Sequence, residues 1–141
     1  MLLKDLCARL PYGVKGKVET TDGNGKEIKD EGVINSVFIN EHGAAYICIE
    51  GMEYELDDVK PYLRPMGSMT EEEKCQFRDF VDWDYDCNWK ANTLEELLNG
   101  NRIISRYVFE LFDWLNACHF DYRGLIPMGL ALEAPEGMYI N

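Results

Sequence analysis

The sequence predicts a single α+β domain over residues 1–141, with an N-terminal helix, a small antiparallel sheet and a helical C-terminal part packed on it. Three observations predict this class. Leucines recur at helical spacing at the start, short alternating runs separated by turn residues follow, and two helix-start signals mark the second half. We therefore divide the domain into residues 1–66, a helix plus an SH3-like β-barrel or curled sheet, and residues 67–141, the helical part.

The first element is a short amphipathic helix. Leu2, Leu3, Leu6 and Leu10 recur at helical spacing, and Pro11-Tyr12-Gly13 follows them. Proline and glycine disfavour continuation of a helix, so the helix is expected to end there with one apolar face buried.

The next forty-odd residues read as short antiparallel strands. Apolar and charged residues alternate, and glycine with asparagine or aspartate occupies the breaks, where such residues tolerate positive φ. Pro61 and Pro65 are expected to end strand pairing and to favour a tight helical turn. The predicted strands are Val14–Thr20, Val33–Ile39, Ala44–Ile49 and Met52–Leu56, with turns at Asp22–Gly25 and Asn40–Gly43.

Two capping boxes mark helix starts in the second half. Thr70 with Glu73 and Thr93 with Glu96 each place a hydroxyl and a carboxylate three residues apart, ahead of apolar residues. In that arrangement each side chain accepts the backbone N–H of the other residue, which satisfies two amides at the helix start. Helices are expected from both positions.

A strongly apolar helix is predicted from Arg102 to Ala117. Its apolar stripe is so wide that burial on several sides, or dimerisation, is expected. Asp121 is expected to cap a second short helix from Tyr122 to Met128, which Gly129 ends. This pair of helices should seal the domain.

Composition restricts the class of protein. The 46% hydrophobic share fits a folded domain, and no apolar run approaches the roughly 18 to 20 residues of a membrane span. Lys4, Asp5 and Arg9 interrupt the apolar start, which argues against a signal peptide. The five cysteines form no CxxC pair. A cytoplasmic protein with reduced cysteines is expected.

The formal charge of −12 is large for this length, and much of it falls between Glu53 and Asp86. A negative field repels phosphate, so direct nucleic-acid binding is disfavoured, whereas a basic protein partner would be attracted. A solvated acidic surface that only maintains solubility is the alternative.

One acidic segment also carries aromatic residues. Carboxylates that steer a basic partner, next to aromatic side chains that supply contact area, are typical of a protein interface. The alternative is that these aromatics belong to the core of a helix. The candidate interaction residues are Asp82, Trp83, Asp84, Tyr85, Asp86 and Trp89.

Signals for chemistry are weak. The alternate aspartates at 82, 84 and 86 begin like a calcium loop, but Cys87 and Thr93 occupy the positions that need glycine and glutamate. No cysteine or histidine pair has zinc-ligand spacing, so neither metal nor cofactor is predicted. A small hydrolase or nucleotide-handling enzyme, with a site built from His119, Asp121 and a cysteine, remains an alternative.

Blocks of residues along nearly the whole chain resemble one family. These blocks are Leu6–Val14, Val59–Met66, Ser68–Glu73, Trp114–Asn116, His119–Ile126 and Gly129–Pro135. They resemble a family of uncharacterised small proteins encoded by phages, prophages and mobile elements of gut Bacteroidetes. Pro127 and Cys118 depart from the pattern of that family, where a polar residue is expected at each. The resemblance implies a genomic context and no activity.

The sequence therefore predicts a non-enzymatic accessory protein of a phage or mobile element. It is expected to bind a protein partner through the acidic, aromatic-containing segment from Asp82 to Trp89, and the charge of the segment favours a basic partner. The alternatives are the small enzyme with a site near His119 and Asp121, and a structural homodimer built on the apolar helix. Neither nucleic acid nor a membrane is an expected partner.

Overall fold

The structure is a computed structural model that describes residues 1–82, 93–94, 102–103 and 107–139. The chain divides into two compact units, which we treat separately. The first unit comprises Met1–Tyr62 with Leu130–Leu132, and the second comprises Leu63–Gly129 with Glu133–Asn141. Both α and β elements are present, as the sequence predicts.

The predicted N-terminal helix is confirmed. Helix α1 spans Leu2–Arg9, a 3₁₀ turn follows at Leu10–Tyr12, and Gly13 ends it with φ of 68°. A positive φ suits glycine, which has no Cβ to clash with the backbone. The buried face of α1 also holds Asp5 and Arg9, whose side chains are fully buried.

The first unit contains most of a six-stranded sheet with the order β4-β3-β2-β1-β5-β8. Its first four strands form an antiparallel meander. β5 returns to pair with β1, also antiparallel. The strands are β1 (Lys15–Thr21), β2 (Glu27–Ile39), β3 (Ala45–Ile49), β4 (Met52–Glu55), β5 (Val59–Leu63) and β8 (Leu132–Glu133).

The turns of the meander agree with the sequence. Asp22 Oδ1 accepts the N–H groups of Asn24 and Lys26, and Asn40 Oδ1 accepts those of His42 and Ala44. Strand β2, however, begins at Glu27, six residues before the predicted start. Its first half is rich in charged residues, and pairing with β1 rather than burial makes it a strand.

The sheet is open, with β4 and β8 at its edges, so an SH3-like barrel is not confirmed. A register shift between Ile34 and Ser36 interrupts the pairing of β2 with β3. The hydroxyl of Tyr54 on β4 donates to Asp30 Oδ2 at 2.5 Å. This hydrogen bond, with burial, raises the pKa of Tyr54 to about 12.

Pro61 does not end strand pairing, contrary to the prediction. It lies inside β5, opposite Gly16 of β1. Proline lacks a single N–H, so at most one ladder hydrogen bond is lost at this position. Lys60 and Val59 keep Lys17 and Val18 of β1 as their partners, and the strand continues through the proline.

Helix α2 (Glu71–Phe80) begins the second unit's helical part, and its capping box is confirmed. Glu73 N–H donates to Thr70 Oγ1 at 3.2 Å, and Thr70 N–H donates to Glu73 Oε2 at 2.8 Å. The second predicted capping box lies partly outside the described residues, since only Thr93 and Leu94 of that region are described.

The apolar helix is shorter than predicted. Arg102–Ile103 forms strand β7, which pairs with β6 (Val81–Asp82), and helix α3 spans Val108–Ala117. The prediction of helix at residues 102 and 103 was therefore wrong. The backbone of Ile103 pairs opposite Val81, and both residues belong to the β-branched class, which favours strands over helices.

Residues after α3 form consecutive turns instead of the predicted second helix. His119 takes a left-handed conformation with φ of 59°, which breaks the helical path. Pro127 supplies no N–H for a continuing helix. Asp121 still acts as a cap, because its two carboxylate oxygens accept the N–H groups of Leu125 and Ile126 at 2.7 and 2.9 Å.

One apolar cluster fills the second unit. It draws on α2, α3 and the turns that follow, and Leu111 and Leu115 are fully buried within it. Its members are Met66, Met69, Phe77, Val81, Leu94, Leu111, Leu115, Cys118, Phe120 and Tyr122. None of the helices in the described part of the chain has the length and apolarity that a bilayer crossing requires.

Candidate functional site

The second unit contains a cleft of about 760 Å³. This volume lies in the range of ligand pockets, roughly 300 to 1,000 Å³. One wall comes from residues 64–76, around the start of α2, and the other from residues 133–139. Its lining residues are Arg64, Pro65, Ser68, Thr70, Glu72, Glu73, Gln76, Cys118, Glu133, Ala134, Pro135, Glu136, Gly137 and Tyr139.

An ion pair forms part of the cleft wall. Arg64 Nη1 and Nη2 donate to the two carboxylate oxygens of Glu73 at 2.7 and 2.8 Å, a bidentate geometry. The side chains are only 15% and 7% exposed. The Arg64 guanidinium also lies over the Phe120 ring, 4.3 Å from its centroid. Three contacts thus fix the guanidinium.

Glu73 is held as a carboxylate. Burial acts to raise its pKa, but hydrogen bonds from Arg64 and from Thr70 N–H outweigh burial and lower the pKa below its usual value. Because Glu73 also belongs to the capping box of α2, the same carboxylate caps the start of the helix and neutralises Arg64.

Backbone bonds place Arg64 at this position. Its N–H donates to the His119 carbonyl at 2.8 Å, and its carbonyl accepts Asp121 N–H at 2.7 Å. These bonds form a parallel bridge between Arg64 and Phe120. The side chain of Arg64 is therefore positioned by the turn that follows α3.

The C-terminal segment forms the second wall. Its Ala134 N–H bonds to Leu63, and the Tyr139 ring stacks on His119 with centroids 3.8 Å apart and planes at 23°. Gly137 has φ of 77°, which permits the turn between these two contacts. The wall is thus attached at both ends.

The cleft is acidic. Four glutamates and one arginine line it, a formal charge of −3, and the arginine already pairs with Glu73. Glu72, Glu133 and Glu136 are exposed. Cationic groups are therefore the ligands that this cleft favours electrostatically.

Nucleophilic and metal chemistry find little support in the described residues. Burial raises the pKa of Cys118, the cleft's thiol, to about 11, so it is protonated at neutral pH and a poor nucleophile. Within the described ranges no group of three or more histidine, cysteine or acidic side chains is arranged to hold a metal ion.

The predicted interaction segment lies almost entirely outside the described residues. Only Asp82 is described, where its backbone pairs with Arg102 in the β6–β7 ladder. Nothing is established for Trp83, Asp84, Tyr85, Asp86 and Trp89, and their interface role stays a prediction.

The alternative enzyme site is not assembled around the cleft. His119 and Asp121 are buried, 4% and 2% exposed, and neither lines the cleft. Asp121 uses both carboxylate oxygens to accept turn N–H groups, and His119 packs against Tyr139. These contacts give both residues structural roles.

The Arg64–Glu73 pair has a predicted pH signature. We expect Arg64→Met to lower the free energy of unfolding by about 2 to 3 kcal/mol at pH 7, less than a fully buried pair because Arg64 is partly exposed. A carboxyl with a lowered pKa stabilises the fold above its unfolded pKa and loses that contribution as pH falls through the folded pKa. Urea unfolding should therefore show that the free energy of unfolding of the wild type decreases as the pH is lowered. The free energy of unfolding of the variant should decrease less over the same pH range.

Lys74→Met is the matched control for this prediction. Lys74 pairs with Glu71, whose side chain is 83% exposed, so the change should stay within about 1 kcal/mol. An equal loss in the two variants at pH 7 would contradict the role of the pair.

Sequence reasoning found Glu73 only as a capping residue, and it did not find Arg64, Glu133, Glu136 or Tyr139. No local sequence signal predicts that the C-terminal segment lies near the start of α2, because the two segments are distant in sequence and meet only in the folded chain. The charge pattern alone pointed to acidic surface in general. No protein-family model, curated protein or solved structure matches this chain.

Proposed function

We propose that this chain is a non-enzymatic binding protein that takes up a basic segment of a protein partner in the acidic cleft of its second unit. The observation that carries the proposal is the cleft itself, about 760 Å³ with a formal charge of −3. A lysine or arginine side chain entering it would meet Glu133 and Glu136 on one wall and Glu72 on the other.

The ion pair favours binding over catalysis. Because Arg64 and Glu73 neutralise each other, that part of the lining presents neither a free base nor a free acid to a ligand. Tyr139 and Pro135 add apolar contact area next to the carboxylates. Aromatic and apolar area beside steering charges is a common composition of protein-binding surfaces.

The setting proposed for this function is that of a phage or mobile-element accessory protein, and it rests on the resemblance of the sequence blocks described above. The acidic, aromatic-containing segment from Asp82 to Trp89 is proposed as a further contributor to the same function. It lies in the second half of the chain, like the cleft.

For the first unit we propose an SH3-like arrangement of the sheet. The strand order β4-β3-β2-β1-β5, the 3₁₀ turn at Leu56–Asp58 between β4 and β5, and the register shift in β2 support it. Together they favour a meander that bends back on itself.

Binding of a labelled peptide rich in lysine and arginine, followed by fluorescence anisotropy, tests the proposed function. We expect saturable binding that weakens as salt is added. The double variant Glu133→Gln/Glu136→Gln should raise Kd about tenfold, since each exposed charge contact contributes up to about 1 kcal/mol.

The control variant Glu27→Gln/Glu41→Gln removes the same charge from exposed positions of the first unit. It separates site binding from general attraction to a protein of charge −12. If the two double variants raised the Kd for the peptide equally, the cleft would not be the binding site. The same conclusion would follow if neither double variant changed the Kd.

A further inference from the structure

The edge strand β4 in the first unit has features of a docking site. It pairs with β3 and is the last strand on its side of the sheet among the residues that the structure describes. The connecting turn has φ of 49° at Glu50 and 89° at Gly51, the positive values of a two-residue hairpin turn. In such a hairpin Ile49 and Met52 form the closing hydrogen-bonded pair, and hydrogen-bonded pairs then alternate along the ladder.

That alternation fixes which backbone groups face outward. Tyr54 pairs with Ile47 through hydrogen bonds, whereas Glu53 and Glu55 occupy the positions whose N–H and C=O groups point away from β3. The open edge therefore offers the backbone groups of Glu53 and Glu55. An extended chain that lies alongside would bond to these groups.

The side chains beside the edge are acidic and aromatic. Residues directly opposite in a ladder share a face, so Phe38, Tyr46 and Glu55 form one row across three strands. The Phe38 and Tyr46 rings stack with centroids 5.4 Å apart and planes at 16°, and both are partly exposed. Glu53 lies on the same face, opposite Cys48.

The other face of β4 anchors the strand. Met52 and Tyr54 share the face of Ile49 and Ile47, which are fully buried. The hydrogen bond from Tyr54 to Asp30 ties the strand to β2. Met52 is 59% exposed at the end of the strand, where it offers apolar area to an incoming chain.

We propose that β4 accepts an extended, basic segment of a partner protein by strand addition, with lysine or arginine at alternate positions beside Glu53 and Glu55. Alternate spacing follows from the two-residue period of a strand. The cationic side chains would pair with these carboxylates. An arginine, whose side chain is longer, would also reach the neighbouring aromatic pair Phe38–Tyr46 and place its guanidinium over a ring.

Charge argues against a second copy of the chain as the occupant. Antiparallel pairing of two β4 edges would bring Glu53 and Glu55 of both copies together, in chains that each carry a charge of −12. Like charges on neighbouring strands are destabilising. The proposal concerns the first unit alone and does not depend on the cleft of the second.

NMR of the labelled protein with a synthetic peptide of alternating arginine and valine tests the proposal. We expect the amides of Glu53 and Glu55 to shift and to exchange with solvent more slowly when the peptide is added. An isomeric peptide with its arginines in one block should bind more weakly, and the variant Glu53→Gln/Glu55→Gln should raise Kd about tenfold.

Comparison of Glu53→Pro with Glu53→Gln separates backbone pairing from charge, because both changes remove the carboxylate and only proline removes the N–H. Glu53→Pro removes the outward N–H while it leaves the hydrogen bonds to β3 intact, a device that natural edge strands use. It should abolish the slowed exchange at Glu55 in the peptide titration. If Glu53→Pro does not fold, as judged by its NMR spectrum, the proposal is tested by the amide exchange of the wild type and by the Kd of Glu53→Gln/Glu55→Gln.

Several outcomes would overturn the proposal. One is peptide binding without slowed exchange at Glu53 and Glu55, and another is equal binding of the two isomers. Shifts confined to residues 133–139 would overturn it and would support the cleft. A dimer by sedimentation that Glu53→Pro dissolves would assign the edge to a second copy instead.

Discussion

Replacing Arg9 by methionine is expected to lower the free energy of unfolding by about 3 to 5 kcal/mol. The Arg9 and Asp5 side chains are fully buried, and Arg9 donates to both Asp5 carboxylate oxygens at 2.7 and 3.0 Å. Methionine preserves much of the volume of the arginine stem but leaves the Asp5 carboxylate in the interior without its cation. Urea unfolding monitored by circular dichroism measures the loss.

Lys4→Met is the matched control, because Lys4 lies on the same helix and is exposed. Its expected effect is within about 0.5 kcal/mol. The double variant Asp5→Leu/Arg9→Met should recover part of the loss, since replacing a whole buried pair by apolar residues removes the isolated charge. Similar losses for Arg9→Met and Lys4→Met would show that the pair contributes little.

The second large effect is expected for Leu111→Ala, which should cost about 2 to 5 kcal/mol. Leu111 is fully buried in the cluster of the second unit. Alanine removes methyl groups from a packed interior and leaves a cavity that the neighbours fill only partly. Denaturant unfolding of the two proteins in parallel gives the difference.

Phe109 supplies the control on the same helix. Its side chain is 79% exposed, so Phe109→Ala should change the free energy of unfolding by no more than about 0.5 kcal/mol. If the two variants were equally stable, α3 would not be the buried helix described above.

Elements with strong local chemistry were predictable from sequence. The capping box of Thr70 and Glu73 and the turn at Asn40–Gly43 each depend on side chains bonding to backbone groups a few residues away. Helix α1 was predictable from leucine spacing and a glycine stop. Each of these signals lies within a single helix or a single hairpin, so no tertiary information is needed to read it.

Elements that depend on distant partners were not predictable. The charged first half of β2 is a strand because β1 lies beside it, and Arg102–Ile103 is a strand because Val81–Asp82 lies beside it. The spacing of Asp5 and Arg9 is a local signal for the buried ion pair, although we interpreted these residues only as evidence against a signal peptide. An acid and a base four residues apart among buried leucines can indicate an internal ion pair as well as an interrupted signal peptide.

The candidate site belongs to this second group. Arg64 is positioned by backbone bonds to His119 and Asp121, and Glu133 and Glu136 reach the cleft because the Tyr139 ring stacks on His119. The local sequence around each of these residues does not predict its contact with the others. The net charge predicted a basic partner but gave no position for a binding site.

The separation of the cleft into a fixed part and a variable part has a consequence for specificity. Arg64 and Glu73 hold helix α2 and the turn after α3 together, so substitutions there would disturb folding. Glu133 and Glu136 are exposed and do not contribute to the apolar cluster. Exchanging these two for lysine would change the formal charge of the cleft from −3 to +1 at little cost in stability. Under the proposed function, one scaffold could therefore be redirected from cationic to anionic ligands by editing two codons.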